Sequence, residues 1–547
     1  MISNKIITKE FFMELVYLWV EDYKNIQKQG FNFSPRFRCE YDEKTKELNI
    51  IDKDEMGEFY PKNFFGDNIN VTAIVGENGS GKTTFSNFIK EIFIRKELFG
   101  SIHYYDSHEK KVLILFKKKE VDEFEYISNI DDIKIDTKFI SNKVDDLSIN
   151  ILNYSAEFQK EKNYDNDIVI SPNEIAKSLT DNFIYKKDFK LSSFMFIPEI
   201  IEVSFDSEYL NKQLENTLEK EKQRIINQAI DVSYDEEKEA EKEMRNSIYN
   251  LEDYSADLFR VDDYHKFLII WFIDNHYFDS DTLLNKDFLF KTYQQQEPDE
   301  QISENELLES CTKKIEDFTD REKEIYFENF HYYFSFNFID SIQREFEDLS
   351  HGERVLFGQL INIYHYINKS EKSFILNLDE PELSLHPNWQ KNYIFEITSL
   401  LKQFDNKIHL IVTSHSPFIL SDLPKENVIF LEKGKQVYPF DDGKQTFGAN
   451  IHTLLSHGFF MKDGLMGEFA KSKIDTAIKY LNQKTLTQEQ LDYCENIISI
   501  IGEPIIKREL QRMLKNKMEL SKNEEIDTIK EEIELLKHKL ELLRKGK

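Results

Sequence analysis

Nine consecutive residues, Gly76-Glu77-Asn78-Gly79-Ser80-Gly81-Lys82-Thr83-Thr84, carry the most specific chemistry in this 547-residue chain. They fit G-x-x-x-x-G-K-[ST], a loop whose successive backbone N–H groups cradle phosphate. Glycine at 76, 79 and 81 lets the backbone curl around one anion. Lys82 is placed to reach the β- and γ-phosphates, and the Thr83 hydroxyl to ligate Mg²⁺. The whole stretch from Gly76 to Thr84 is therefore expected to contact ATP, with Lys82 also acting in catalysis.

A second stretch, FILNLDEPELSLHP (Phe374–Pro387), is an apolar run ending in paired acids. Asp379 suits a water-mediated hold on Mg²⁺, and Glu380 suits orientation of the attacking water. Neighbouring side chains on a strand point apart, so one carboxylate can serve the metal and the other the nucleophile. Asn377 interrupts the run and predicts that one strand face meets polar groups. A third stretch, IVTSHSP (Ile411–Pro417), puts His415 after another apolar strand, where an open α/β sheet forms its ligand crevice. Beside the other motifs, His415 is expected to sense the γ-phosphate. The fourth stretch is EDLSHGERVLFGQL (Glu347–Leu360). There the Ser350 hydroxyl and the N–H groups of His351 and Gly352 open a helix, and a helix N-terminus attracts anions.

The elements that must position these residues can be read around them. VTAIV (Val71–Val75) is a β-branched run entering the glycine loop, and FSNFIKEIF (Phe85–Phe93) has helical spacing behind it. FILNL, IHLIVT (Ile408–Thr413) and NVIFLE (Asn427–Glu432) are strands, the first two separated by an apolar helix. That alternation predicts βαβ units and a parallel sheet, with strands before 160 and after 370 in one sheet. FRCEYDEKTKELNIID reads as a hairpin about Asp42–Thr45. Residues 205–260 are charged and helix-prone, and FLIIWFI (Phe267–Ile273) is a buried helix segment. The expected fold class is α/β. Its divisions are an N-terminal half of an ATPase head at 1–190, a helical insertion at 191–340, the second half of the head at 341–435, a helical region at 436–520 and a tail helix at 521–547. In the tail, Ile526, Ile529, Ile533, Leu536, Leu540 and Leu543 follow spacings of 3, 4, 3, 4, 3, a heptad seam. Ser521 and Glu524 have the spacing of a capping box at its start. The seam serves either the chain's own surface or assembly.

The formal charge is −30, with 40% hydrophobic and 14% aromatic residues. So acidic a chain is not a general polyanion binder, and nucleic acid would be met through a local patch or a partner. The basic clusters at 116–119 and 505–517 read as solvated faces. Cys39, Cys311 and Cys494 are far apart and form no CxxC pair, which argues against zinc sites and disulfides and fits a reducing, cytoplasmic setting. No apolar run reaches the roughly 18 residues of a membrane span, and no signal peptide is expected. Asp441-Asp442-Gly443 reads as a turn, not a metal-holding D-x-D, and His452 and His457 as structural. No nuclease site is expected in this chain.

The order GENGSGKTT, LSHGE, hydrophobic-Asp-Glu and strand-then-His resembles the soluble branch of the ATP-binding-cassette ATPases, which includes the RecF, SMC and OLD-type proteins. The resemblance implies an ABC-type P-loop head with an antiparallel β subdomain, a helical insertion and a helical C-terminal region. It implies that Ser350 and Gly352 grip the γ-phosphate held by another protomer, so that the chain forms a head-to-tail dimer or higher homo-oligomer. In NYSAEFQ (Asn153–Gln159), Gln159 either faces Mg²⁺ and the attacking water or is a surface residue. LVYLWVEDYKNIQKQGFNFSPRF (15–37) and FGANIHTLLSHGFFMKDGLMGEFAKSKI (Phe447–Ile474) look like the PtuA ATPases of Septu anti-phage systems, including those beside retrons. That resemblance implies a separate HNH nuclease of PtuB type and, in the retron version, a reverse transcriptase with its RNA–DNA product. Nucleic acid would then be reached through partners. Two other readings stay open: a DNA-maintenance ATPase of RecF type, and an ATPase joined to a divergent anticodon nuclease.

Overall fold

The computed structural model describes residues 13–94, 100–107, 110–117, 127–128, 134–136, 149–156, 167–168, 170–181, 196–230, 257–275, 283–296, 310–329, 331–440, 443–459 and 465–545. The chain forms two compact units, Met1–Phe460 and Met461–Lys547.

The first unit opens with β1 (Met13–Tyr23), β2 (Ile26–Asn32) and the hairpin β3 (Phe37–Asp42)–β4 (Glu47–Asp52), then reaches β5 (Ile69–Gly76) and α1 (Lys82–Ile94). β6 (Gly100–Ser107), β7 (Lys110–Lys117), β8 (Ile127–Ser128), β9 (Lys134–Asp136), β10 (Ile149–Ser155) and α2 (Pro172–Asp181) follow. The middle holds β11 (Pro198–Phe205), α3 (Ser207–Ile230), α4 (Asp263–Asn275), α5 (Lys286–Gln296), β12 (Ser310–Lys314) and β13 (Phe334–Asp340). The chain returns through α6 (His351–Asn368), β14 (Ser373–Asp379), α7 (Pro387–Leu401), β15 (Ile408–Ser414), β16 (Val428–Glu432) and β17 (Lys435–Val437).

Six strands form the central sheet in the order β10-β14-β15-β5-β16-β17. All neighbours run parallel except β16 and β17. Strands from both ends of the unit thus share one sheet, as the apolar runs imply. The reason is burial on both faces, which makes parallel strands read as near-continuous hydrophobic runs. On one face Ile74, Ile375 and Ile411 pack with Phe85, Phe88 and Ile89 of α1 and with Phe31 and Phe33. On the other, Val75, Leu376 and Val412 pack with Leu356 and Leu360 of α6 and Ile397 of α7. Period-two alternation divides each strand between the two cores.

Three expectations are corrected. The N-terminal β-rich region is mixed, not antiparallel: in the sheet β2-β1-β7-β6-β9, β1 runs parallel to β7 while the other pairs are antiparallel. The 191–340 stretch is not purely helical, because β12-β11-β13 form an antiparallel sheet there. Phe334, Phe336 and Phe338 alternate with polar residues, a strand period that the surrounding charged helices obscure. The buried segment Phe267–Ile273 does lie in a helix, α4.

The third correction concerns the second unit, built from α8 (Glu468–Leu481), α9 (Gln488–Ile500) and α10 (Pro504–Lys545) around Ala477, Leu481, Cys494, Ile498 and Leu510. The tail does not begin at Ser521. α10 runs unbroken through it, and a capping residue needs non-helical backbone. Pro504 starts the helix instead, where its missing N–H costs nothing. Ile526, Ile529, Ile533, Leu536 and Leu540 of the seam are exposed. Among the described residues, no helix is long and apolar enough to cross a membrane.

Candidate active site

Gly76 is the last residue of β5, and the chain turns from it into α1 through Glu77, Asn78, Gly79, Ser80 and Gly81. Gly79 and Gly81 take φ of +76° and +107°, backbone that side chains rarely adopt. Glu77, Asn78 and Gly79 are exposed, Thr83 and Thr84 are half-buried, and Lys82 is buried. Lys82 Nζ donates to the carbonyls of Gly76 (3.0 Å) and Glu77 (3.1 Å), so the ammonium lies across the mouth of its own loop. Burial pushes its pKa down, while Glu380, Asp379 and Glu382 oppose that shift by their charge. The Ser80 hydroxyl is buried without a hydrogen-bond partner.

The acids sit where β14 ends. Register pairs Asp379 with Thr413 of β15. The Thr413 hydroxyl donates to Asp379 Oδ1 and accepts from the Glu380 N–H (3.0 Å), so one hydroxyl fixes both acidic residues. The Glu380 N–H also donates to the Thr413 carbonyl (3.1 Å). Glu380 has φ +49°, an uncommon conformation that these bonds maintain. Its Oε1 lies 3.1 Å from His415 Nε2. That hydrogen bond is the main cause holding the Glu380 carboxyl below its ordinary pKa, and Lys82 adds to it. Asn377 bonds Ser86 of α1 and Asn153 of β10, the polar strand face its position implies.

Ser350 is the N-cap of α6 in a reciprocal capping box. The Ser350 N–H donates to Glu353 Oε2 (2.9 Å), and the Glu353 N–H donates back to Ser350 Oγ (3.4 Å). Ser350 and His351 remain exposed. At Gly352 a Cβ would stand 2.9 Å from the Ser384 carbonyl oxygen. Gln359 Nε2, farther along α6, donates to the Pro381 carbonyl (2.9 Å). The signature helix is thus seated on the segment that follows Glu380. Among the described residues, Ser350 and Gly352 share no hydrogen bond with the phosphate loop, whereas Lys82, Asp379, Glu380 and His415 come together. Gln159, Asp441 and Asp442 lie outside the described residues.

The AAA ATPase domain pattern matches residues 64–420, which span all four motifs. The chain belongs to the AAA ATPase domain family. The ATPase is also similar to "Retron Ec83 probable ATPase" of Escherichia coli, 32% identical over 96 residues, 16% of this chain and 17% of the relative. It is similar to "Protein ea59" of Escherichia phage lambda, 26% identical over 185 residues, 33% of this chain and 34% of the relative. "Septu protein PtuA" of Bacillus mycoides (strain KBAB4) is 30% identical over 131 residues, 23% of this chain and 18% of the relative. The matched stretches thus span between 17% and 34% of these relatives' own lengths.

The ATPase offers an oxygen-only donor set for Mg²⁺. The Thr83 hydroxyl and the Asp379 carboxylate suit a hard cation that takes its remaining ligands from phosphate and water. The buried, unpartnered Ser80 hydroxyl in the loop fits a nucleotide phosphate as its missing partner. Among the described residues, no group of three or more His, Cys, Asp or Glu side chains is arranged to hold a metal by itself.

Sequence reasoning missed Thr413, Ser414 and Glu382. Glu382 is buried, accepts a hydrogen bond from the Ser414 hydroxyl, and has its second oxygen unpartnered. Burial raises its pKa to about 7. The raised value means the folded ATPase binds this proton more tightly than the unfolded chain does. Stability from the group is therefore present at low pH and is lost as pH rises from about 4.5 to about 7. Glu382→Gln removes the titration. The variant is expected to gain stability relative to wild type, by about 3 kcal/mol between pH 4.5 and 8. Denaturant unfolding of both chains across that range checks it, and parallel pH profiles would exclude a raised Glu382.

Proposed function

We propose that this ATPase binds Mg²⁺–ATP in the Gly76–Thr84 loop and hydrolyses it with Glu380 orienting the attacking water and His415 holding Glu380 and meeting the γ-phosphate. The observation that carries this reading is the gathering of Lys82, Asp379, Glu380 and His415 at one end of the parallel sheet, ordered by Thr413. Lys82 and the α1 N-terminus bind and neutralise phosphate charge. Mg²⁺, held by Thr83 and Asp379 when bound, would supply further neutralisation of the phosphates. Glu380 is ionised in the neutral range, the form that accepts a hydrogen bond from water.

The reading extends to assembly and biology. Ser350 and Gly352 act on the γ-phosphate of a second protomer, in a head-to-tail dimer or higher homo-oligomer. Support comes from the exposure of Ser350 at a helix N-terminus, where its hydroxyl bonds Glu353 within the same turn. The ATPase serves anti-phage defence and controls a partner HNH nuclease, in a retron setting together with a reverse transcriptase and its RNA–DNA product. The names of the retron and Septu relatives support the defence setting. Coexpression with a neighbouring HNH nuclease, followed by phage challenge, tests it: protection lost in Lys82→Ala is expected, and protection indifferent to Lys82 sinks the assignment.

The seam on α10 belongs to the same reading. Five exposed Ile and Leu side chains on one helix face are expected to dock on another chain. Each buried side chain contributes about 1.5–3 kcal/mol before ordering costs. Ile533→Asp combined with Leu536→Asp should leave nucleotide binding intact and lower the oligomer mass or release the nuclease. Light scattering with and without the coexpressed partner reads this, and unchanged mass in both samples removes the assembly role.

A further inference from the structure

In a chain of formal charge −30, three cations meet around one cavity. The cavity, of about 150 Å³, opens between the β3–β4 hairpin and strands β16 and β17. Arg38, Lys53 and Lys425 line it with a single carboxylate, Glu426, and that carboxylate is engaged by Gln445 Nε2 at 3.0 Å. Lys53 Nζ donates to the Pro35 carbonyl (3.2 Å) and Lys425 Nζ to the Phe440 carbonyl (2.7 Å). An ammonium has three donors, so each lysine keeps N–H groups for a ligand. The Arg38 guanidinium stands 4.8 Å from the Tyr438 ring centroid, which orients its planar donor fork. Burial is the main cause that lowers the Lys53 pKa. Arg38 and Lys425 push the same way, against Glu426 and Glu58. Like charges held together in a recess are relieved by an anion.

This is not the phosphate loop. Asn25, just before β2, abuts Gly81 of that loop. Asn32, seven residues farther on, lines the cavity, and none of Gly76–Thr84 does. A space of this size holds about one benzene-sized group. It therefore suits a phosphoryl group or a single ring, not a whole dinucleotide. A guanidinium fork with two ammoniums matches the oxygens of a phosphate dianion. The chain's formal charge of −30 disfavours a long polyanion.

We propose that Arg38, Lys53 and Lys425 form a second anion site, which takes the phosphate monoester of a compact ligand such as a mononucleotide and is separate from the ATP site. Its walls connect it to the ATPase. Val428 and Phe430 line the cavity on β16, which pairs with β5 in the register Phe430 to Val75 and Leu431 to Gly76. The Gly434 N–H, just beyond β16, donates to the Ser80 carbonyl (2.9 Å). A ligand in the recess bears on the phosphate loop from behind, as an effector and not as a substrate.

The test is calorimetric titration of the full-length chain carrying Lys82→Ala, which disables the phosphate loop. The probes are inorganic phosphate, AMP and a 5′-phosphorylated DNA oligonucleotide at fixed ionic strength. Phosphate or AMP is expected to bind the Lys82→Ala chain. Adding Arg38→Gln or Lys53→Met should weaken that binding about ten-fold or more. Binding of the oligonucleotide instead, with the same dependence on Arg38 and Lys53, supports the site and identifies a nucleic-acid end as the source of the phosphate. Arg38 is exposed, so Arg38→Gln decides the matter if Lys53→Met shifts the unfolding midpoint. Absence of saturable binding up to about 10 mM for all three probes overturns the proposal. So does binding indifferent to both substitutions.

Discussion

Glu380→Gln is expected to bind ATP as wild type does and to hydrolyse it about 10²–10⁴-fold more slowly. The substitution keeps the side-chain volume and an oxygen that can still accept from His415, so the turn at φ +49° need not change. It removes the negative charge. The amide is a poorer acceptor for the attacking water and gives the developing positive charge on it no compensation. Lys82 is close enough to feel the Glu380 charge, so its own pKa should fall further in the variant, which leaves phosphate binding intact while the ammonium stays protonated at neutral pH. Single-turnover hydrolysis with a separate nucleotide-binding assay distinguishes the two steps. Equal turnover by variant and wild type would remove Glu380 from the role assigned to it.

Ser350→Arg is expected to abolish steady-state hydrolysis while leaving the unfolding midpoint nearly unchanged. Ser350 is exposed, and arginine at the N-cap loses a cap worth about 1 kcal/mol, a small fraction of a domain's stability. The larger effect is on what approaches the α6 N-terminus. A bulky cation there blocks a partner surface that has to close over nucleotide. Circular dichroism with heat establishes the fold, and phosphate release establishes the activity. Wild-type turnover in a folded Ser350→Arg chain would make the capping box the whole purpose of the Ser-His-Gly-Glu turn.

The contrast between these residues shows what a sequence displays. Lys82, Asp379, Glu380 and His415 were legible because each ends or follows a strand buried on both faces, and such strands read as apolar runs with an abrupt polar end. Thr413 was not legible as the bridge between the acids. Its role depends on the pairing register of β14 with β15, two strands joined by a whole helix. Glu382 looks like surface charge in a polar turn, and only tertiary packing reveals it as a buried acid below Ser414. Ser521 shows the opposite failure. Its capping pattern is real locally, but Pro504 had already nucleated a helix whose good helix formers carry it past the serine. Strands β11 and β13 were hidden because they lie among charged helical segments.

Mixing two inactive variants tests directly whether the proposed hydrolytic site is shared by two chains. The Ser350→Arg chain keeps its phosphate loop, and the Lys82→Ala chain keeps its signature turn. A dimer of one with the other has one complete composite site. An equimolar mixture that exchanges subunits freely should recover about a quarter of wild-type turnover, since about half of the dimers are mixed and each has one of its two sites intact. Recovery that rises and falls with the mixing ratio and peaks near equimolar is the predicted result. A mixture shown by native mass measurement to contain the mixed dimer, yet as inactive as either variant alone, would contradict it.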